Sequence, residues 1–146
     1  MSMGDEGRPI RPGIVGLGGR GLGQMRTLLG MPDVRVAAVC DVYPDRVERA
    51  RQAAAEKQGF LPDGLADYRE LNRRDDLEAV VVMSSWTTHG LVAVDAMRCG
   101  KRVAMEVGGA ASVEECWQLV RASEETGVPC MMLENCCYGR EEMALL

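Results

Sequence analysis

The stretch Gly13-Ile14-Val15-Gly16-Leu17-Gly18-Gly19-Arg20-Gly21-Leu22 joins an apolar run to a glycine-rich turn and then to a helix-like segment. A strand followed at once by Gly-x-Gly-x-x-Gly and a helix is the context in which that motif holds a dinucleotide. Each glycine has its own task. Gly16 permits a tight turn, Gly18 lets backbone approach a pyrophosphate, and Gly21 permits close packing of helix on strand. Gly19 and Arg20 complete the loop, and the helix N-terminus offers amides to the anion.

Twenty positions after Gly21, Asp41 closes a second apolar run. A carboxylate there accepts hydrogen bonds from adenosine ribose hydroxyls and repels a 2′-phosphate, so the spacing selects NAD. Val42 and Tyr43 bring no cation, and Arg46 could serve a phosphate only by reaching back. The alternative is a plain glycine turn, with Asp41 capping the next helix.

Short apolar runs recur along the chain at 13–17, 34–40, 79–84, 102–105 and 130–133. Helix-like segments alternate with them at 21–29, 44–58, 88–99 and 113–126, with a short element at 68–72. Pro44 suits a first helical turn, Gly59 and Gly127 suit helix ends, and Ser112 to Glu115 reads as a capping box. The alternation predicts an α/β fold, a Rossmann-type doubly wound and mostly parallel sheet. Residues 1–8 lack any apolar period and are expected to form a mobile tail, leaving 9–146 as one domain. The last helix-like segment, 140–146, ends without a cap or a following strand, so the domain reads as truncated at its C-terminus.

Composition narrows the function. The chain is 47% hydrophobic and 27% charged, which suits a soluble globular domain. A net charge of -5 gives no attraction to nucleic-acid phosphates or anionic membranes, so neither is an expected partner. Cys40, Cys99, Cys116, Cys130, Cys136 and Cys137 form no Cys-x-x-Cys pair and His89 is the only histidine, so no metal site is expected. The apolar neighbours of the cysteines predict mostly buried, reduced thiols, with a redox role for Cys136 and Cys137 as the alternative. No basic segment followed by an apolar stretch opens the chain, and a cytoplasmic location is expected.

In doubly wound sheets, ligands sit beyond the carboxyl ends of the strands. Three such ends carry polar or aromatic groups: Trp86-Thr87-Thr88-His89 after the third run, Glu106-Val107 after the fourth, and Glu134-Asn135 after the fifth. Trp86 could lie against a flat cofactor ring and His89 could bond a ribose. The alternative is helix capping by Thr87 or Thr88, with Trp86 in the core. Glu106 and Asn135 could bond ribose hydroxyls or a carboxamide, or could instead hold loop backbone. Tyr138 and Arg140 are weaker candidates.

These segments, together with Leu133-Glu134-Asn135-Cys136-Cys137-Tyr138-Gly139-Arg140-Glu141-Glu142, resemble the glucose-fructose oxidoreductase, inositol dehydrogenase and MocA superfamily. Within it, the chain is most similar to the NAD-dependent α-N-acetylgalactosaminidases of glycoside hydrolase family 109. The resemblance implies that Gly19, Arg20, Asp41, Trp86, Thr87, Thr88, His89, Glu106, Val107 and Asn135 line an NAD site. It also implies a route: C3 of the sugar gives up a hydride, the ketone acidifies the C2 proton, and the glycoside leaves by elimination. Water then adds and the hydride returns. Such enzymes stand outside the paired-carboxylate scheme of most glycosidases.

Two departures matter. Sugar dehydrogenases of the superfamily usually carry Glu-Lys-Pro where this chain has Glu106-Val107-Gly108. Valine cannot move a proton, which matches the glycosidase branch. That branch, however, normally has proline where Gly108 stands, so the loop geometry should differ. The resemblance implies a second, α+β substrate domain that is not expected within these residues, with the catalytic residues expected there. This stretch alone should then be inactive, and Leu145 and Leu146 should expose apolar surface that favours homo-oligomers. A sugar or cyclitol dehydrogenase domain and a non-catalytic nucleotide-binding module are the competing readings.

Overall fold

The computed structural model describes residues 8–134 and 136–145. The elements in chain order are β1 (Pro12–Val15), α1 (Gly19–Leu28), β2 (Ala38–Cys40), α2 (Pro44–Gln58), β3 (Asp63–Leu65), α3 (Tyr68–Asn72) and β4 (Ala79–Val82). Then come α4 (Trp86–Arg98), β5 (Arg102–Glu106), α5 (Val113–Thr126), β6 (Cys130–Leu133), a 3-10 turn (Cys136–Tyr138) and α6 (Arg140–Met143). The strands form one sheet in the order β3-β2-β1-β4-β5-β6. All its pairings are parallel, with Ile14 opposite both Val39 and Val81. The sheet reverses its winding between β1 and β4, and a crevice opens at such a point.

Helices cover both faces, so the central strands read as continuous apolar runs rather than alternating ones. One face packs Ile14, Val39 and Val81 under Leu22 and Met25 of α1 and Ala50 and Ala54 of α2. The other packs Val15, Val80, Val82 and Val103 against Leu71 of α3 and Val92, Ala96 and Met97 of α4. Burying each large side chain contributes roughly 1.5 to 3 kcal/mol, so these two layers hold the central strands in register.

Several boundaries differ from the sequence expectation. β1 stops at Val15 because Gly16 takes φ +94° and turns the chain out of the strand. α1 and α4 start two residues earlier than expected, which places Gly19 and Arg20, and Trp86 and Thr87, in first turns. The run 34–40 is a strand only at its end. Ahead of β2, the Gln58 side chain donates to the Val36 carbonyl at 2.9 Å and accepts from its amide at 3.1 Å. β3, not expected from sequence, is an exposed edge strand containing Gly64. The capping box forms by half: Glu115 N–H donates to Ser112 Oγ at 3.2 Å, but the Glu115 carboxylate takes the amide of Ala111 at 2.7 Å.

All six cysteines are free, but the expectation that most are buried fails. Cys40 is buried, Cys99 and Cys130 are half-buried, and Cys116, Cys136 and Cys137 are exposed on α5 and on the turn past β6. Burial, reinforced by Asp41, pushes the Cys40 thiol up to about 12. Of the expected tail, Arg8 is described; it is exposed and paired with Glu78. Beyond β5 the sheet is poorly covered, for Val113 and Trp117 of α5 and Met131 and Met132 of β6 are exposed. Leu145 is exposed as anticipated, whereas Leu146 lies outside the described residues.

Candidate functional site

The loop after β1 packs directly on the end of β4. A Cβ on Gly16 would stand 2.5 Å from the Met83 carbonyl carbon and the Ser84 nitrogen, and one on Gly21 would stand 1.9 Å from the Gly16 carbonyl oxygen. Neither position admits a side chain. A Cβ on Gly19 would meet nothing within 4 Å, so that side of the loop is open. α1 begins there with no acidic residue in its first turn, and no side chain among the described residues caps it. A helix start that is open and has no acidic residue in its own first turn suits an anion such as a pyrophosphate.

Asp41 stands beside this loop and is 8% exposed. Leu17 N–H donates to its Oδ2 at 2.6 Å, and Tyr43 N–H donates to its Oδ1 at 3.0 Å. The carboxylate therefore ties the glycine loop to the end of β2. It does not cap α2, whose N-cap is Tyr43 with no side-chain bond. Arg46 lies at the mouth, its Nη1 3.8 Å from Asp41 Oδ2 and its guanidinium 4.3 Å above the Tyr43 ring.

At the corner after β4 the alternative reading, with Trp86 in the core, fails. Trp86 is 66% exposed rather than core. Its indole instead covers Gly108, where a Cβ would stand 2.5 Å from Trp86 Nε1. No described side chain caps α4; Thr88 Oγ1 lies 2.9 Å from both Ser84 Oγ and the Ser85 carbonyl oxygen, and Thr87 Oγ1 lies 3.2 Å from Ser85 Oγ. His89, expected among the lining residues, is fully buried. Its Nε2 donates to the Ser84 carbonyl at 2.9 Å, because a carbonyl can only accept, and its Nδ1 has no partner among the described residues. The ring braces the β4–α4 corner and presents no exposed atom to the crevice.

At the end of β5, Glu106 is bound to the glycine loop. Arg20 Nε donates to Glu106 Oε2 at 2.6 Å, and the Val107 amide donates to Glu106 Oε1 at 3.0 Å. Arg20, helped by the Val107 amide, holds the Glu106 carboxyl below the usual carboxylate range, and Glu106 raises Arg20 in turn. Val107 is half-buried. Gly108 takes φ +89°, which proline cannot adopt, so the loop does differ here from a proline-bearing one. Asn135 lies outside the described residues. Its neighbour Glu134 accepts from the Cys136 amide at 2.8 Å.

Gly16, Gly18, Gly19, Arg20, Gly21, Asp41, Glu106 and Val107 thus converge on the carboxyl end of the sheet. Sequence reasoning missed the link between Arg20 and Glu106, although their opposite charges in two candidate positions were a signal. It also missed the backbone contact of Gly16 with Met83 and Ser84, which no residue type announces. The family model for the GFO_IDH_MocA oxidoreductases, an NAD-binding Rossmann fold, matches residues 10–134.

The chain belongs to this family.

Among the relatives of this NAD-binding Rossmann domain is a glycosyl hydrolase family 109 protein of Solibacter usitatus, 40% identical over 144 residues, covering 94% of this chain and 33% of that one. An alpha-N-acetylgalactosaminidase of Shewanella oneidensis is 37% identical over 142 residues, covering 94% and 31%. The chain therefore spans about a third of the length of the curated relatives it matches. KijD10, a 3-ketoreductase from Actinomadura kijaniata solved with TDP-benzene and NADP in an open conformation, has the same fold, with a TM-score of 0.83 at 22% identity over 94% of this chain and 42% of that one. The WlbA dehydrogenase of Bordetella pertussis, solved with NADH and UDP-GlcNAcA, gives 0.81 at 21% identity over 94% and 41%. No helix among the described residues is long and apolar enough to cross a membrane.

Proposed function

We propose that this chain is the cofactor-binding domain of an NAD-dependent glycosidase acting on α-N-acetylgalactosaminides. The glycine loop would hold the pyrophosphate, Asp41 the adenosine ribose, and Trp86, Thr87, Thr88, Glu106, Val107 and Asn135 the nicotinamide half. His89 would support that half from beneath, through the corner it braces. Bound there, NAD would supply reversible uptake of a hydride from a sugar carbon.

Val107 carries this reading over a dehydrogenase. It occupies the place after Glu106 where a proton-handling lysine would face the transferred hydride, and an aliphatic side chain can take no proton there. The residues that move protons and choose the sugar would then lie in the part of the relatives' length that this chain does not span. Exposed apolar side chains such as Trp117 on α5 and Met132 on β6 support self-association of this stretch.

The test uses the longest natural product containing these residues. Stripping its NAD should abolish release of aglycone from an α-N-acetylgalactosaminide, and re-adding NAD should restore it. An unchanged rate after stripping would overturn the reading. Stoichiometric build-up of NADH with a polyol would favour a sugar or cyclitol dehydrogenase, for which the glycine loop and Asp41 are equally suited. Turnover by the 146-residue chain alone would remove the non-catalytic module.

A further inference from the structure

Three sulfur atoms gather on one face of the β5–β6 pair, away from the glycine loop. Met105 stands opposite Met132 and Val103 opposite Cys130, and residues 130 and 132 alternate to the same side of β6. Cys130 Sγ lies 3.8 Å from Met105 Sδ. A Cβ on Gly109 would lie 3.5 Å from Met105 Sδ and 3.9 Å from Met132 Sδ, so both thioethers border one point. All three side chains line an open groove of about 580 Å³ under α5, whose wall adds Cys116, Leu119 and Val120. Packing alone accounts for sulfur beside sulfur, since thiols and thioethers fill apolar layers. It does not account for the opening: the cluster runs from Met105, 2% exposed, through half-buried Cys130 to Met132, 55% exposed, so an ion can reach it from solvent. Ligands for hard ions are scarce here. Ser123 Oγ is committed to the Val128 carbonyl at 2.8 Å, and Glu124 is the only carboxylate among the described residues that line the groove.

We propose that Cys130, Met105 and Met132 form a binding site for a soft monovalent cation, copper(I). Two sulfurs 3.8 Å apart both reach one ion at about 2.3 Å with a near-tetrahedral angle between the bonds. Thiolate and thioether donors select copper(I) over harder divalent ions. On binding, the Cys130 S–H bond breaks, its proton passes to solvent, and a sulfur–copper bond forms with no change of oxidation state. One thiolate and one monovalent ion leave no net charge, which an apolar groove tolerates, whereas a divalent ion would leave it charged. The exposed Glu124 carboxylate at the rim attracts the incoming cation. Thioether donors follow no Cys-x-x-Cys spacing, and the described residues hold no metal-binding cluster of three histidines, cysteines or carboxylates, so the site is of another kind.

The test uses the whole 146-residue chain carrying Cys136→Ser and Cys137→Ser, which remove the adjacent exposed thiols past β6. Titrated without oxygen with copper(I) against the chelator bicinchoninate, it should take up one ion in competition with the chelator. In a sample labelled with carbon-13 at the methionine methyls, the Met105 and Met132 resonances should shift, and that of Met25, on the other face of the sheet, should not. Cys130→Ser should abolish the uptake. Met105→Leu and Met132→Leu should each weaken it at least about tenfold, the lower bound even for partners outside the first coordination sphere. The methyl resonances of the Cys130-containing chain decide the matter should Cys130→Ser not fold. No uptake against the chelator, uptake that survives Cys130→Ser, or a Met105 or Met132 methyl left unmoved would overturn the site. Neither readout involves NAD.

Discussion

Arg20 Nε donates to Glu106 Oε2 at 2.6 Å, tying the first turn of α1 to the end of β5 over the end of the intervening β4. Because Arg20 lowers the Glu106 pKa, the pair stabilises the fold above the ordinary carboxylate value of 4.5 and stops doing so as pH falls through the depressed value. Arg20→Met should let the Glu106 carboxyl rise toward its ordinary value, as read by carbon-13 NMR titration of glutamate side chains. The stability difference between variant and parent should shrink in acid. An unshifted Glu106 resonance would show that the pair is not held in solution.

Asp41 holds the loop, and on the proposed reading it also holds the ligand, so its removal should act twice. Asp41→Ala should weaken NAD binding by roughly 1 to 3 kcal/mol, the usual worth of hydrogen bonds to a charged group. It should also lower the melting temperature of the free chain, because the buried Leu17 amide loses its acceptor. Calorimetry reads the first effect and a thermal melt the second. Unchanged NAD affinity would remove Asp41 from the site.

Gly108→Ala should destabilise the chain by about 1 to 2 kcal/mol from the left-handed backbone alone, before any cost of moving Trp86. In a Trp117→Phe background the remaining indole emission reports Trp86, and it should shift as the ring is displaced. Emission identical to the parent would mean that the indole does not rest on Gly108.

Acid stability should depend on a cluster below the sheet. Arg74 donates to Asp76 at 2.9 Å and Arg11 does so at 2.8 Å, and together they bring the Asp76 carboxyl from its ordinary 3.8 to about 2. A depressed folded value means that the contribution is complete above about 4 and is lost as pH falls through about 2. Asp76 is partly exposed, so solvent screening limits this to about 1 kcal/mol. Asp76→Asn should lower stability at pH 6 and converge with the parent near pH 2 in urea titrations.

Local signals made some elements legible and left others silent. Pro44 and Gly59 bracket α2, and its two ends match the sequence reading. β4 and β6 were visible because their apolar residues run without interruption. β3 was not, since Asp63-Gly64-Leu65 is extended only through pairing with β2, with Arg51 and Val47 crowding against Gly64. The same division runs through the site. Loop glycines and Asp41 announce themselves by spacing, whereas the burial of His89 and the seat of Trp86 on Gly108 come from tertiary packing that no nearby residue encodes.

The contact of Gly16 with Met83 and Ser84 also sets a timetable for synthesis. On the ribosome, the glycine loop is made long before the strand it leans on, because β2, α2, β3 and α3 are translated between them. The nucleotide cradle cannot close until Ser84 has emerged, and any chain arrested earlier leaves one edge of β1 open to pairing with a neighbouring nascent chain.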